Sequence, residues 1–177
     1  MYVFENRYIE VIYRSRDFLH LTGVDTNLSA ESFYKKAVEG TLRSNQIFFT
    51  QRHPYDLCLR KNRYIRYLST VTNSNLLVLK DVTTNTATFQ FGVTELSFLL
   101  CLDQIRDTQG QPTSNLYIAK SLRDGDGFDR CADAFELNYI FQRKNNEKLY
   151  SRIMFSDQKA SLSSLPPQIR QKIDLDE

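Results

Sequence analysis

The chain offers a metal ion very little. It holds two histidines, three cysteines and no tryptophan in 177 residues. The cysteines, Cys58, Cys101 and Cys131, are scattered and odd in number, with no Cys-x-x-Cys pair. That pattern argues against a thiolate zinc site and against a disulfide framework. A histidine-based site would need carboxylates drawn from distant positions. No metal and no cofactor is therefore expected. Glycine is also sparse, at six residues, and none lies in a Gly-x-Gly-x-x-Gly run, a Gly-Lys-Ser/Thr loop or a Gly-x-Ser-x-Gly elbow. Dinucleotide binding, P-loop phosphate chemistry and the α/β-hydrolase triad lose their signatures with those motifs.

Long apolar runs are missing too. The longest, Val93 to Leu102, is broken by Thr94, Glu95 and Ser97 and is far too short to span a bilayer. Met1–Asn6 shows neither a basic leader nor an apolar core of a signal peptide. With its unpaired thiols, the chain is expected in a reducing cytoplasm, with no membrane partner. Asp124-Gly125-Asp126-Gly127 and Asp129 resemble part of a calcium loop, but no matching twelve-residue pattern ends in Glu. An Asp-Gly turn is the expectation there.

What is present suits one globular domain with an ordinary core: 41% of residues are hydrophobic and 25% charged. The net charge of +2 is unevenly spread. Residues 1–66 hold eleven Lys/Arg against seven Asp/Glu, whereas residues 67–144 hold seven against nine. A polyanion would dock at the basic end.

Met1–Glu5 and Arg7–Tyr13 read as a hairpin with Asn6-Arg7 in the turn. Arg16–Leu21 reads as a helical turn stopped by Gly23. Ser29 can cap a helix through Glu39, with Phe33, Ala37 and Val38 on one side and Gly40 as its stop. Ile47–Thr50 is a short strand or extended link. Pro54 suits the start of a helix to about Leu68, with Leu57, Tyr64, Ile65 and Leu68 buried and Lys61 on the edge of that stripe. Strands are expected at 76–80, 86–93, 96–102, 116–121, 134–143 and 149–155, with a hairpin turn at Asn145-Asn146. Phe135, Leu137, Tyr139 and Phe141 should face the core and their neighbours solvent. The architecture is thus α+β, an N-terminal hairpin and helices packed on a mainly antiparallel sheet. Residues 1–160 form the single domain and 161–177 a short C-terminal appendage, in which Ile169 and Ile173 stand four apart.

The stretch Arg16-Asp17-Phe18-Leu19-His20-Leu21-Thr22-Gly23-Val24, followed by Phe33-Tyr34 and Gly40-Thr41-Leu42, resembles a family of small phage and mobile-element domains. That family belongs to the barnase, EndoU, colicin and RelE-like nuclease superfamily. The resemblance implies helices ahead of an antiparallel sheet and a metal-independent endoribonuclease, toxin-like, with RNA as substrate and an antitoxin or immunity protein as candidate partner. It marks His20 as a hallmark position, the Lys120-Ser121 pair as a phosphate-handling one, and a late strand as the place of a completing residue, Tyr150 or Arg152. This sequence departs from the family pattern in showing no fixed order of His, Lys and Arg, so a degenerate member stays open.

RNA cleavage needs only a base, an acid and cations, because the substrate's own 2′-hydroxyl is the nucleophile. His20 suits proton transfer near neutral pH; its bland alternative is a half-buried turn histidine. His53, just before Pro54, reads as a loop histidine at a helix start. Alternation places Tyr117, Ala119 and Ser121 on one strand face and Ile118, Lys120 and Leu122 on the other. A lysine between two apolar residues either ends the strand or lines a polar cleft. The candidate catalytic set is His20, Lys120, Ser121, Arg123 and Tyr150. Arg52, Arg60, Arg63 and Arg66, interleaved with Tyr64 and Tyr67, are the candidate RNA-binding residues. The alternative function is a non-catalytic binding or inhibitor module of phage or plasmid origin, which an exposed apolar patch near Phe48-Phe49 would favour.

Overall fold

A two-residue reversal starts the fold. Glu5 and Asn6 both take positive φ, 43° and 62°, the left-handed pair that matches the twist of a tight hairpin. It joins β1 (Tyr2–Phe4) to β2 (Arg7–Ile12), one residue ahead of the expected turn. The computed structural model describes residues 1–175, with Asp126 as backbone only; that side chain and the last two residues of the tail lie outside the described residues. A 3₁₀ turn, Ser15–Asp17, leads into α1 (Phe18–Thr22), which Gly23 stops in the left-handed region, φ 70°. A small ribbon pairs β3 (Asp25–Thr26) with β4 (Ile47–Phe48). Between its strands runs α2 (Ala30–Val38), capped as expected by Ser29, whose hydroxyl accepts from the Ser32 amide. Phe33 is buried there, but Val38 is 70% exposed and not on the packed side.

Pro54 is the residue before α3 (Tyr55–Ile65). The buried centre of this helix is Cys58 and Lys61, with Leu57, Tyr64 and Ile65 half-buried around them. The lysine expected on the edge of the stripe is therefore in its middle.

The remaining strands are β5 (Leu77–Thr83), β6 (Thr88–Thr94), β7 (Phe98–Arg106), β8 (Pro112–Asp124), β9 (Asp133–Glu136), β10 (Tyr139–Gln142) and β11 (Arg152–Ser156). One nine-stranded sheet has the order β11-β10-β1-β2-β8-β7-β6-β5-β9. Only the β2–β8 pair is parallel. The class is α+β with a mainly antiparallel sheet.

The expected single strand 134–143 is two strands. β9 pairs with β5 at one end of the sheet, and β10 pairs with β1 near the other. Only Leu137 and Asn138 separate them, so the sheet curls back on itself. Phe4 and Phe135 meet inside the curl, their rings stacked 5.2 Å apart. The main core fills this space with Tyr2, Val78, Phe98, Leu100, Leu122 and Leu137 among others. Ile140 joins it, whereas Tyr139 and Phe141 turn outward into a second core. Of the residues expected on the wet face, Glu136 and Gln142 are exposed and Asn138 is half-buried; Ile140 alone departs from the alternation. The residues that cover the outer face of β10 come from the tail: Leu165 and, in α4 (Pro167–Arg170), Ile169. The Tyr150 amide donates to Lys172 O at 2.7 Å and the Asp174 amide to Tyr150 O at 2.9 Å. That tail pairing occupies Tyr150 and lets β11 begin only at Arg152. No helix among the described residues is long and apolar enough to cross a membrane.

Ile169 is fully buried at the centre of the tail's contact. Ile169→Ala should lower the unfolding free energy by about 2–5 kcal/mol in urea denaturation. A change under about 0.5 kcal/mol would mean the tail rests on the sheet without stabilising it.

Candidate functional site

The site forms where β8 loses a neighbour. β2 pairs with it only at Leu116–Ile118. Beyond that point the 3₁₀ turn, α1 and α3 pack along β8 instead. In the β7–β8 ladder Cys101 stands opposite Ser121 and Leu102 opposite Ala119, leaving Lys120 as an extra residue. This bulge resolves the odd lysine between Ile118 and Leu122. It lets Ala119 and Leu122 share the core and turns Lys120 out, as bulges re-aim side chains. The simple alternation over 116–122 therefore fails at one residue.

Lys120 emerges into a groove of about 300 Å³ whose polar lining is Arg14, Arg16, Asp17, His20, Glu31 and Lys120. His20 and Lys120 thus share one cleft. Arg14 grips Asp17 through two hydrogen bonds of 2.8 Å, and that carboxylate is buried. Such a forked pair fixes the turn ahead of α1 and leaves its own charges matched. His20 is exposed, yet its wall position lowers its pKa. Desolvation is the first cause and Lys120 the second; Lys61 and His53 act the same way, and Asp17 opposes them. The neutral imidazole is favoured near pH 7, the form a general base needs.

Lys61 supports the groove from behind. Its ammonium donates to His20 O at 3.0 Å, satisfying a carbonyl at the end of α1 that has no helical partner. Cys58 Sγ donates to Gly23 O at 2.7 Å. Burial, and then Arg123, push the Lys61 pKa down to about 8. A Cβ on Gly23 would lie 2.7 Å from Lys61 Cδ, so the same glycine that stops the helix admits the lysine.

On the other flank stands a pair unforeseen from the sequence. His53 Nδ1 lies 2.7 Å from Asp25 Oδ1, and Thr50 donates to Asp25 Oδ2 at 2.7 Å. These bonds, Thr50 first, hold the Asp25 carboxyl below its usual range. The turn is closed by the Thr50 amide to His53 O at 3.0 Å and the His53 amide to Thr50 Oγ1 at 3.2 Å. Asp25 and His53 are far apart in sequence and meet because β3 and β4 pair; no local pattern announces that. Lys61 did leave a signal, since Cys58, Lys61 and Ile65 share one face of α3.

The other expected residues lie elsewhere. Ser121 is buried opposite Cys101 and does not line the groove. Arg123 donates to Thr86 Oγ1 at 2.9 Å, beside β6, and lines a smaller pocket of about 60 Å³ with Arg60, Lys61, Tyr64 and Asp124. Tyr150 is buried in the second core and donates to Glu10 Oε1 at 2.9 Å. Burial first pushes its pKa up to about 12. It faces a cavity of about 490 Å³ whose lining includes no histidine. β11, with Arg152, is four strands away from β8. Arg52, Arg60, Arg63 and Arg66 are all exposed, and Arg66 lies over the Tyr67 ring at 5.8 Å. Tyr64 instead packs on Phe98 at 5.9 Å and donates to Asp124 at 3.0 Å. Among the described residues, no three His, Cys, Asp or Glu side chains gather where they would hold a metal ion.

Residues 1–159 match the family model described as phage-Barnase-EndoU-ColicinE5/D-RelE like nuclease 4. No curated protein and no solved structure matches the chain.

Gly23→Ala should destabilise more than Gly110→Ala in urea melts. Both carry the left-handed backbone cost of about 1–2 kcal/mol, but only Gly23 has Lys61 against it. The Lys61 pKa lies below its unfolded value of 10.5, so the unfolded chain binds the proton more tightly between the two values. Wild-type stability should therefore rise relative to Lys61→Met as pH climbs from about 8 to 10.5. A flat difference would place the ammonium in solvent.

Proposed function

The chain belongs to the phage-type barnase, EndoU, colicin E5/D and RelE-like nucleases, and on that premise we propose that it is a metal-independent endoribonuclease. The observation that carries the reading is His20 and Lys120 in one groove. Neutral His20 takes the proton of the substrate's 2′-hydroxyl. The 2′-oxygen bonds to phosphorus, the bond from phosphorus to the 5′-oxygen breaks, and a 2′,3′-cyclic phosphate remains. The 5′-oxygen leaves with a proton from a second group. Lys120 neutralises charge that builds on the phosphate oxygens. The exposed arginines of α3 hold the flanking phosphates. No step is assigned to Ser121, Arg123 or Tyr150, which lie outside the groove. A toxin-like role in the cytoplasm, with an antitoxin or immunity protein to restrain it, accords with the family's phage setting.

One observation favours a second reading. Phe48, Phe49, Tyr55 and Leu59 are 43–54% exposed beside His53, with Phe49 and Tyr55 edge to face at 5.0 Å. A patch of this kind suits a binding module that captures a partner without cleaving anything.

Incubation with RNA in EDTA separates the two. Wild type should yield 2′,3′-cyclic ends. His20→Ala should lose about 10²- to 10⁴-fold in rate with its melting temperature nearly unchanged, and intact RNA from the wild-type chain would sink the nuclease reading. Replacing Arg60, Arg63 and Arg66 by Ala should reduce the slope of log affinity against log salt by about 0.7 for each lost contact to single-stranded RNA. An unchanged slope in the folded triple variant would make the arginines a merely solvated face.

A further inference from the structure

We propose that His53, oriented by Asp25, is the group that protonates the leaving 5′-oxygen, making this a two-histidine site; the inference rests on the nuclease reading above. If His20 serves as base, the reaction needs an acid at the opposite side of phosphorus. The groove itself supplies a poor choice. Arg14 is locked to Asp17, and a guanidinium does not give up its proton. Lys120 serves better as a fixed charge beside the phosphate. The chain's other histidine is already built for proton exchange. Asp25 receives Nδ1 at 2.7 Å and is itself held by Thr50 at its second oxygen. With Nδ1–H given to the carboxylate, the ring cannot rotate freely and Nε2 is the atom left for exchange. Among the described residues Nε2 has no hydrogen-bond partner.

The position is fixed with equal care. His53 ends the turn that starts α3, and His20 lies in α1. Lys61 to His20 O and Cys58 to Gly23 O bind these two helices together. Asp25 stands two residues beyond Gly23 and so belongs to the same packed unit. Residues facing His53 are Asp25, Thr50, Cys58 at its carbonyl, the neighbouring Arg52 and, through charge, His20; those facing His20 are Asp17, Lys61, Lys120, Arg14, Arg16, Glu31 and, through charge, His53. His20 therefore sits on the cation-rich side and His53 on the carboxylate side. In the step, His20 Nε2 or Nδ1 gains the 2′-proton as the oxygen–phosphorus bond forms. His53 Nε2 donates its proton to the 5′-oxygen as the second bond breaks. The proton count balances, and no further reactant is needed.

A pair of substrates tests the assignment. A uridylyl dinucleotide has an alkoxide leaving group that needs an acid. Uridine 3′-(4-nitrophenyl phosphate) releases a phenolate that does not. His53→Gln should lose about 10²- to 10⁴-fold on the dinucleotide and less than about tenfold on the aryl ester, whereas His20→Ala should lose heavily on both. Asp25→Asn should follow the His53 pattern with a smaller loss, and urea melts of all three should confirm a folded chain. The alkaline limb of the pH–rate profile should vanish in His53→Gln on the dinucleotide, while the acid limb remains. Equal losses on both substrates, or none, in a folded His53→Gln would overturn the proposal and leave Asp25–His53 as a brace of the β3–β4 ribbon. A wild-type chain inactive on both substrates would instead overturn the nuclease reading itself.

Discussion

One buried ammonium holds the site in shape. Lys61 runs through the centre of the interface between α1 and α3, where an apolar residue would be ordinary, and ends on the His20 carbonyl. α1 has only five residues and is too short to persist by its own hydrogen bonds. Its place is set from outside: by the Arg14–Asp17 fork before it, by Lys61 at its last turn and by Cys58 at Gly23. A charged group buried on one hydrogen bond is costly. The structure tolerates it here because Gly23 allows close approach and because the lysine pKa falls toward neutrality. Stability is given up at the point where a short element carries the candidate proton-transfer residue His20.

The sheet provides the second constraint. Its curl is closed by one bent segment, β9 and β10, that pairs at both ends of the order. The curl buries Tyr139, Ile140 and Phe141 of β10 on both faces and demands a cover for the outer one, which the tail supplies. β8, on the opposite side of the parallel junction with β2, is left half-paired. Helices α1 and α3 take the vacant edge, so the functional groove and the packing solution for an incomplete strand edge are the same feature. The bulge at Lys120 belongs to this edge. Without the extra residue, Lys120 would share the core face with Leu122.

Much of this was legible in local pattern. The hairpin, the Ser29 cap, the Gly23 and Gly40 stops and the start of α3 at Pro54 depend on neighbours within four residues, and sequence reports such neighbours directly. His20 and Lys120 stand out in the sequence through family resemblance more than through spacing. What stayed hidden is non-local. The break at Leu137-Asn138 follows from sheet closure, because a run of alternating apolar residues reads as one strand whatever it pairs with. The bulge at Lys120 depends on register against β7. Lys61 reads as an edge residue of its stripe because a charged side chain ordinarily is one. Asp25 and His53 meet only through the short β3–β4 ribbon.

The charge pattern around the two histidines has its own logic. Asp17 is the carboxylate that raises the His20 pKa, and Arg14 already claims both of its oxygens. Lys120 still acts on His20 more strongly than Asp17 opposes it, and Lys61 adds to Lys120 in disfavouring a proton on the ring. Phosphate entering the groove would reverse that balance, adding negative charge beside the ring at the step where the proposed reaction gives it a proton. In the proposed reaction the resting site would keep His20 ready as a base, and the bound substrate would stabilise the imidazolium formed there. On the other flank the negative partner, Asp25, is permanent and fixed by Thr50. A base whose counter-charge comes with the substrate and a ring whose counter-charge is built in differ in chemical character, although both are histidine. That difference of environment, set by a bulge on β8 and a two-strand ribbon, is what separates their assigned roles.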